Sequence, residues 1–142
     1  MEIEAEVEGF PKERDIYLEI KGDKDGILIG KHGRTLEALQ LLINRMVNKQ
    51  TKEPLKVVLD IDQYRSRRAA SLAKMAGHFA ERIKATGKAI TVGPFNAYDR
   101  RTIHIALKEE TLLRTESIGE GIIKKITILP NREEGDNIGS RE

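Results

Sequence analysis

Residues 26–39 read "GILIGKHGRTLEAL": three glycines, a lysine, a histidine and an arginine, set just ahead of a helix-like run. Glycine lets the backbone turn tightly and lets a phosphate approach without a Cβ in the way. A helix that follows turns its positive dipole end and free amides toward the same spot. Lys31 and Arg34 add charge, and His32 adds a hydrogen-bond donor. The chemistry on offer is a grip on phosphate.

Free nucleotides fit this segment poorly. A P-loop needs four residues between its first glycine and a Gly-Lys pair, followed by Ser or Thr. Here three residues separate Gly26 from Gly30, and Lys31 is followed by His32. The dinucleotide fingerprint fails too, because Leu28 stands where its first glycine belongs. A strand of nucleic acid, or a plain helical corner, remains.

Arg100 and His104, in "DRRTIHIAL", form a second constellation. A spacing of four puts them on one face of a helix, and an even spacing does the same on a strand. Arginine offers a planar fork for phosphate, and histidine a donor or a ring to stack on a base. Tyr98 and Arg101 are neighbours of lower weight. Arg65 and Arg68, in "YRSRR", lie one turn apart and could track a backbone, with pairing to Asp60 or Asp62 as the alternative. No nucleophile-elbow context accompanies any serine. His32, His78 and His104 lack the spacing of a metal site, so no metal or cofactor is expected.

These residues need elements to position them. Glu2, Glu4, Glu6 and Glu8 alternate with Ile3, Ala5 and Val7, which predicts a half-buried strand over 2–8. "GFPKERD" (9–15) reads as a turn and "IYLEI" (16–20) as the second half of a hairpin. Asp23 suits the cap of a short helical turn over "DKDGILI". "RTLEALQLLINRMVNK" predicts a helix with Leu36, Leu39, Ile43, Met46 and Val47 inward, and "LKVVLDI" (55–61) a third strand. A long helix capped by Asp62 and ended near Gly87 follows, with Leu72, Met75, Ala76, Phe79 and Ile83 as its inward stripe. Short strands are expected at "AITV", "IHIAL" and "KKITIL", and a disordered tail over 131–142. The glycine loop thus sits between two helices beside a three-stranded sheet, the place where KH modules clamp about four backbone nucleotides.

Charge supports a polyanionic partner. The net charge is only +2, yet residues 63–108 carry 10 basic side chains against Glu81 and Asp99. With 4% aromatic residues, scattered as Phe10, Tyr17, Tyr64, Phe79, Phe95 and Tyr98, a base-stacking sheet is disfavoured. The chain has no cysteine and no apolar run able to span a bilayer, so a cytoplasmic protein without membrane insertion is expected.

"LIGKHGRTLEALQLLINRMVN", "LDIDQYRSRR" and "FNAYDRRTIHIAL" together resemble the bacterial Jag, or SpoIIIJ-associated, proteins, over roughly residues 16–130. Those proteins join a prokaryotic-type KH domain to an Arg-x-x-x-His (R-three-H) single-strand-binding domain. The resemblance implies an α+β chain with a type II-like KH domain over 1–61 and a small R-three-H domain over 62–130. It implies Gly30, Lys31, His32 and Gly33 as the clamp, Ile27 and Ile29 with the third strand as walls of an apolar base groove, and Arg100 with His104 as the second site. Family members commonly carry a further amino-terminal domain and a helix before the first KH strand; both are expected to be missing here.

The expected function is binding of single-stranded RNA, with single-stranded DNA as the alternative ligand and no catalysis. The resemblance further implies a bacterial post-transcriptional regulator tied to cell envelope growth or division. It also implies pairing with a small KH-only protein, or with a second copy. The rivals are a ribonuclease using His32 and His104, and a KH-mediated protein adaptor.

Overall fold

A computed structural model describes residues 2–131, so all but Asn131 of the tail expected over 131–142 lies outside the described residues. Asn131 itself is tied down, its side chain donating to Thr111 O at 2.7 Å and its backbone N–H to Leu112 O at 2.7 Å. The chain divides into two compact units between Arg68 and Ala69.

The first unit begins with a hairpin, β1 (Glu6–Lys12) and β2 (Asp15–Lys21), in antiparallel register from Glu6 opposite Lys21 to Lys12 opposite Asp15. The strand expected over 2–8 is therefore displaced toward the carboxyl side, and Gly9–Lys12, expected as turn, belong to it. The actual turn is Glu13–Arg14, with Glu13 in the left-handed region at φ 57°. Nor is β1 half-buried: every residue of it is exposed, Val7 included. Its position explains this, because it is the edge of a sheet ordered β1-β2-β3 and the core lies against the other two strands. The hairpin gains cross-strand contacts instead, Phe10 stacking on Tyr17 at 5.8 Å and Lys12 lying over the Tyr17 ring.

β3 (Lys56–Ile61) joins β2 in parallel, which requires a crossover, and helix α1 (Arg34–Gln50) supplies it. Leu36, Leu59 and Ile61 form the buried centre, with Leu18, Ile20, Leu28, Ile29, Leu39, Ile43 and Tyr64 around it. Full burial of each large aliphatic side chain is worth about 1.5–3 kcal/mol. Met46 is exposed, against expectation. The carboxyl-terminal half of α1 turns polar side chains, Asn44 and Asn48, to the backbone of residues 55–57 and leaves Met46 outside.

Helix α2 (Tyr64–Thr86) starts in the first unit, and its remaining turns belong to the second. Asp62 does not cap it. Asp62 and Gln63 are left-handed, at φ 48° and 55°, and the Asp62 carboxylate instead accepts from the Gly22 and Asp23 amides at 3.0 Å each. At the other end Gly87, at φ 68°, closes the helix by donating to Ile83 O at 2.7 Å.

The second unit packs Leu72, Ala76, Ala80 and Ile83 of α2 on an antiparallel sheet of β4 (Ile90–Phe95), β5 (Leu113–Ile118) and β6 (Lys124–Pro130), ordered β4-β6-β5. Met75 and Phe79 pack against that core from its margin. Central β6 gives it Ile126 and Ile128. The "IHIAL" segment is not a strand. Residues Ala97–Ala106 form helix α3, whose Asn96 cap accepts from Asp99 N at 2.8 Å. Its inward row is Asp99, Ile103 and Leu107, spaced by four.

Candidate nucleic-acid interface

Gly30–Gly33 forms a single tight turn leading into α1. Gly30 has φ 70° and ψ −176°, His32 φ 55° and ψ 30°, and Gly33 φ 77° and ψ 13°. Two of these are glycine for a second reason. A Cβ at Gly30 would collide with the Thr35 side chain, and one at Gly33 would lie 2.6 Å from the Tyr64 ring. Lys31, His32 and Arg34 are exposed around a buried Gly33.

The segment that leads into the turn is held by a relay of two carboxylates. Asp62 grips the Gly22 and Asp23 amides, and buried Asp23 then accepts from Leu28 N and Ile29 N at 3.0 Å each. Gly30 N donates back to Gly26 O at 2.8 Å. Residues 24–29 are turns, of which 27–29 are closed by that single i to i+4 bond, and Asp23 accepts from amides within them. Asp23 and Asp62 were legible only as helix caps; the flanking "KGDKDG" glycines are the signal that a carboxylate here serves a turn.

The first amides of α1 are also already used. Arg34 N donates to Lys31 O, and Thr35 N and Leu36 N both donate to Ile29 O at 3.1 Å. What the turn offers an anion is therefore the exposed side chains of Lys31, His32 and Arg34 rather than those amides. Of the expected groove residues, Ile29 packs into the core and Ile27 is exposed.

Arg65 is committed within its own unit. Its Nε donates to Leu59 O at 3.0 Å, and its Nη2 reaches Gln40 Oε1 at 3.4 Å. Arg68 is half-buried. Arg67 is the exposed member of the group, over the Tyr64 ring at 5.9 Å and bonded to Asp62 O at 3.1 Å.

In the second unit Arg100 and His104 do share a face, one turn apart on α3 and beside its buried row. Arg100 Nε donates to Asn96 O at 3.3 Å, a bond that uses neither of the outer guanidinium nitrogens. His104 Nδ1 meets Thr115 Oγ1 at 2.8 Å, so Nε2 is the ring nitrogen left for a ligand. Arg101 and Tyr98 are exposed on adjoining rows. Not all the local basic charge is free for a ligand: Lys84 Nζ pairs with Glu110 at 2.6 Å and Glu81 at 3.5 Å. The Glu110 hydrogen bond holds its ammonium above the usual lysine range.

Among the described residues no helix is long and apolar enough to cross a membrane. Residues 1–61 match the family profile described as "KhpA/KhpB, KH domain", and residues 70–130 match the profile of the R-three-H domain. The RNA-binding protein KhpB of Clostridium symbiosum is 38% identical over 133 residues, covering 94% of this chain and 60% of that protein. KhpB of Bacillus subtilis is 31% identical over 121 residues, 84% of this chain and 58% of that protein. KhpB of Lactiplantibacillus plantarum is 43% identical over 96 residues, 68% of this chain and 30% of that protein. The matches thus span less than two thirds of these relatives' length.

Proposed function

The chain belongs to the Jag, or KhpB, family of proteins that join a KH domain to an R-three-H domain, and from that premise we propose that it binds single-stranded RNA without cleaving it. The KH turn Gly30–Gly33 grips the sugar-phosphate chain, with Lys31, His32 and Arg34 as its charges. Arg100, His104 and Arg101 extend the footprint from the R-three-H unit. The observation that carries this reading is the left-handed turn itself. Two carboxylates hold the segment that leads into it, His32 sits at a φ that costs backbone energy, and the turn presents only basic or hydrogen-bonding side chains to solvent. In the cell we place the protein in the cytoplasm, as a bacterial post-transcriptional regulator tied to envelope growth. It would pair there with a small KH-only protein or with a second copy.

Charge reversal in the turn tests the clamp. Lys31→Asp with His32→Asp keeps the fold and lowers affinity for single-stranded RNA by about 10–100-fold near 0.1 M salt, with a shallower salt dependence. Equal binding across the salt series rules the clamp out. Time-dependent RNA cleavage in chelator, lost in His104→Ala, would replace binding by a nuclease.

A further inference from the structure

β3 lies at the margin of its sheet, and α1 covers that open edge with side chains. Gln40, Asn44 and Asn48 recur every four residues along α1, opposite Leu59, Val57 and Leu55, which recur every two. Four helical residues rise about 6 Å and two strand residues about 6.6 Å, so the repeats stay in step. Each amide then behaves as a neighbouring strand would. Asn48 donates to Leu55 O at 2.7 Å and accepts from Leu55 N at 2.8 Å. Asn44 donates to Val57 O at 2.7 Å and accepts from Val57 N at 2.9 Å. Gln40 accepts from Leu59 N at 2.6 Å, donates to Val57 O and is met by Arg65, whose Nε takes Leu59 O. Ile61 N is taken by Asp60 Oδ1 at 2.9 Å.

We propose that this amide ladder closes the β3 wall of the KH unit to nucleobases, so that RNA held at Gly30–Gly33 is gripped by its backbone while β3 reads no base. The inference rests on the RNA-binding reading of that turn. A carboxamide offers one donor and one acceptor side by side, the same pairing that the edge of a base presents. Bases and amides therefore need the same β3 groups. A base could enter only by displacing an intramolecular partner, which has the advantage of high effective concentration. Closing the edge also blocks strand addition by another chain. Gln40, Asn44 and Asn48 are positioning residues that set specificity by exclusion.

The test is an NMR titration of the full chain with short homopolymers of adenylate, cytidylate and uridylate. Amide signals of Lys31–Arg34 should move with all three, while those of Leu55, Val57 and Leu59 stay in place. Base-dependent movement at Val57 or Leu59 alongside the turn overturns the inference and leaves RNA binding intact. No movement at either place defeats the RNA reading and takes the inference with it. In a second arm, Gln40→Ala with Asn44→Ala frees both backbone groups of Val57 and the Leu59 amide, and the ratio of affinities among the homopolymers should change by about fivefold or more from wild type. The R-three-H unit is untouched and cancels in that comparison. An unchanged ratio in a folded variant sinks the inference; if the variant does not fold, the wild-type titration decides.

Discussion

The Cβ that any other residue would carry at position 33 falls 2.6 Å from Cε1 of Tyr64, so the KH turn and the start of α2 fit together only through glycine. Gly33 also sits at φ 77°, where a side chain is strained whatever the space around it. Gly33→Ala should therefore cost about 2–4 kcal/mol in urea unfolding, from strain and overlap together. Gly26 is the control. It has φ 66° but open space around its missing Cβ, so Gly26→Ala should cost only about 1 kcal/mol. Equal losses at the two sites would show that Tyr64 does not limit the turn.

Asp23 is the hinge of the carboxylate relay, buried and accepting two backbone amides from Leu28 and Ile29. Removing it strands both amides. Asp23→Ala should cost about 2–4 kcal/mol of stability and Asp23→Asn roughly half that, since the amide oxygen keeps the geometry without the charge. Both variants should weaken RNA binding at temperatures where they stay folded, because the turn loses its anchor. A stable Asp23→Ala protein with normal RNA affinity would remove the relay from the account of the site.

Along the amide ladder the cost of deletion should track burial. Asn44 serves both backbone groups of buried Val57, whereas Asn48 serves Leu55 at an exposed position. Asn44→Ala should lose about 1.5–3 kcal/mol and Asn48→Ala about 0.5–1 kcal/mol. Hydrogen exchange at the Val57 amide should speed up in Asn44→Ala and stay slow in Asn48→Ala. The reverse order would mean that water satisfies β3 as well as the helix does.

Much of the KH half was legible because its signals are local. Glycine spacing marked the turn, Pro54 ended the helix, and an apolar run marked β3. The ladder was not, since Gln40, Asn44 and Asn48 look like a solvated helix face until a strand edge is known to lie beside them. In the R-three-H half, Ile103 and Ile105 alternate and suggested a strand over "IHIAL". The helix wins through a row spaced by four, Asp99, Ile103 and Leu107, whose first member is a buried acid that no apolar pattern would include. "NAYD", an Asn cap with an acid three residues on, was the helix signal that the alternation masked. β5 went unseen because only Leu113 of its six residues is buried.

The two basic residues Arg100 and Lys84 should behave oppositely in RNA binding, although charge alone would rank them alike. Arg100 is partly exposed on α3 and is fixed by one bond from Nε to Asn96 O, which leaves the rest of its fork for phosphate. Lys84 already pairs with Glu110 and Glu81. Neutralising one phosphate of a single strand contributes about 0.7 to the slope of log affinity against log salt. Arg100→Ala should lower that slope by about this amount and weaken binding several-fold at low salt, whereas Lys84→Ala should leave the slope unchanged. Lys84→Ala also unpairs Glu110, so any small affinity loss should vanish in the double variant with Glu110→Gln, while the Arg100 loss should persist there. If both single variants reduce the slope equally, RNA is held by diffuse charge, and the shared face of Arg100 and His104 has no special part in it.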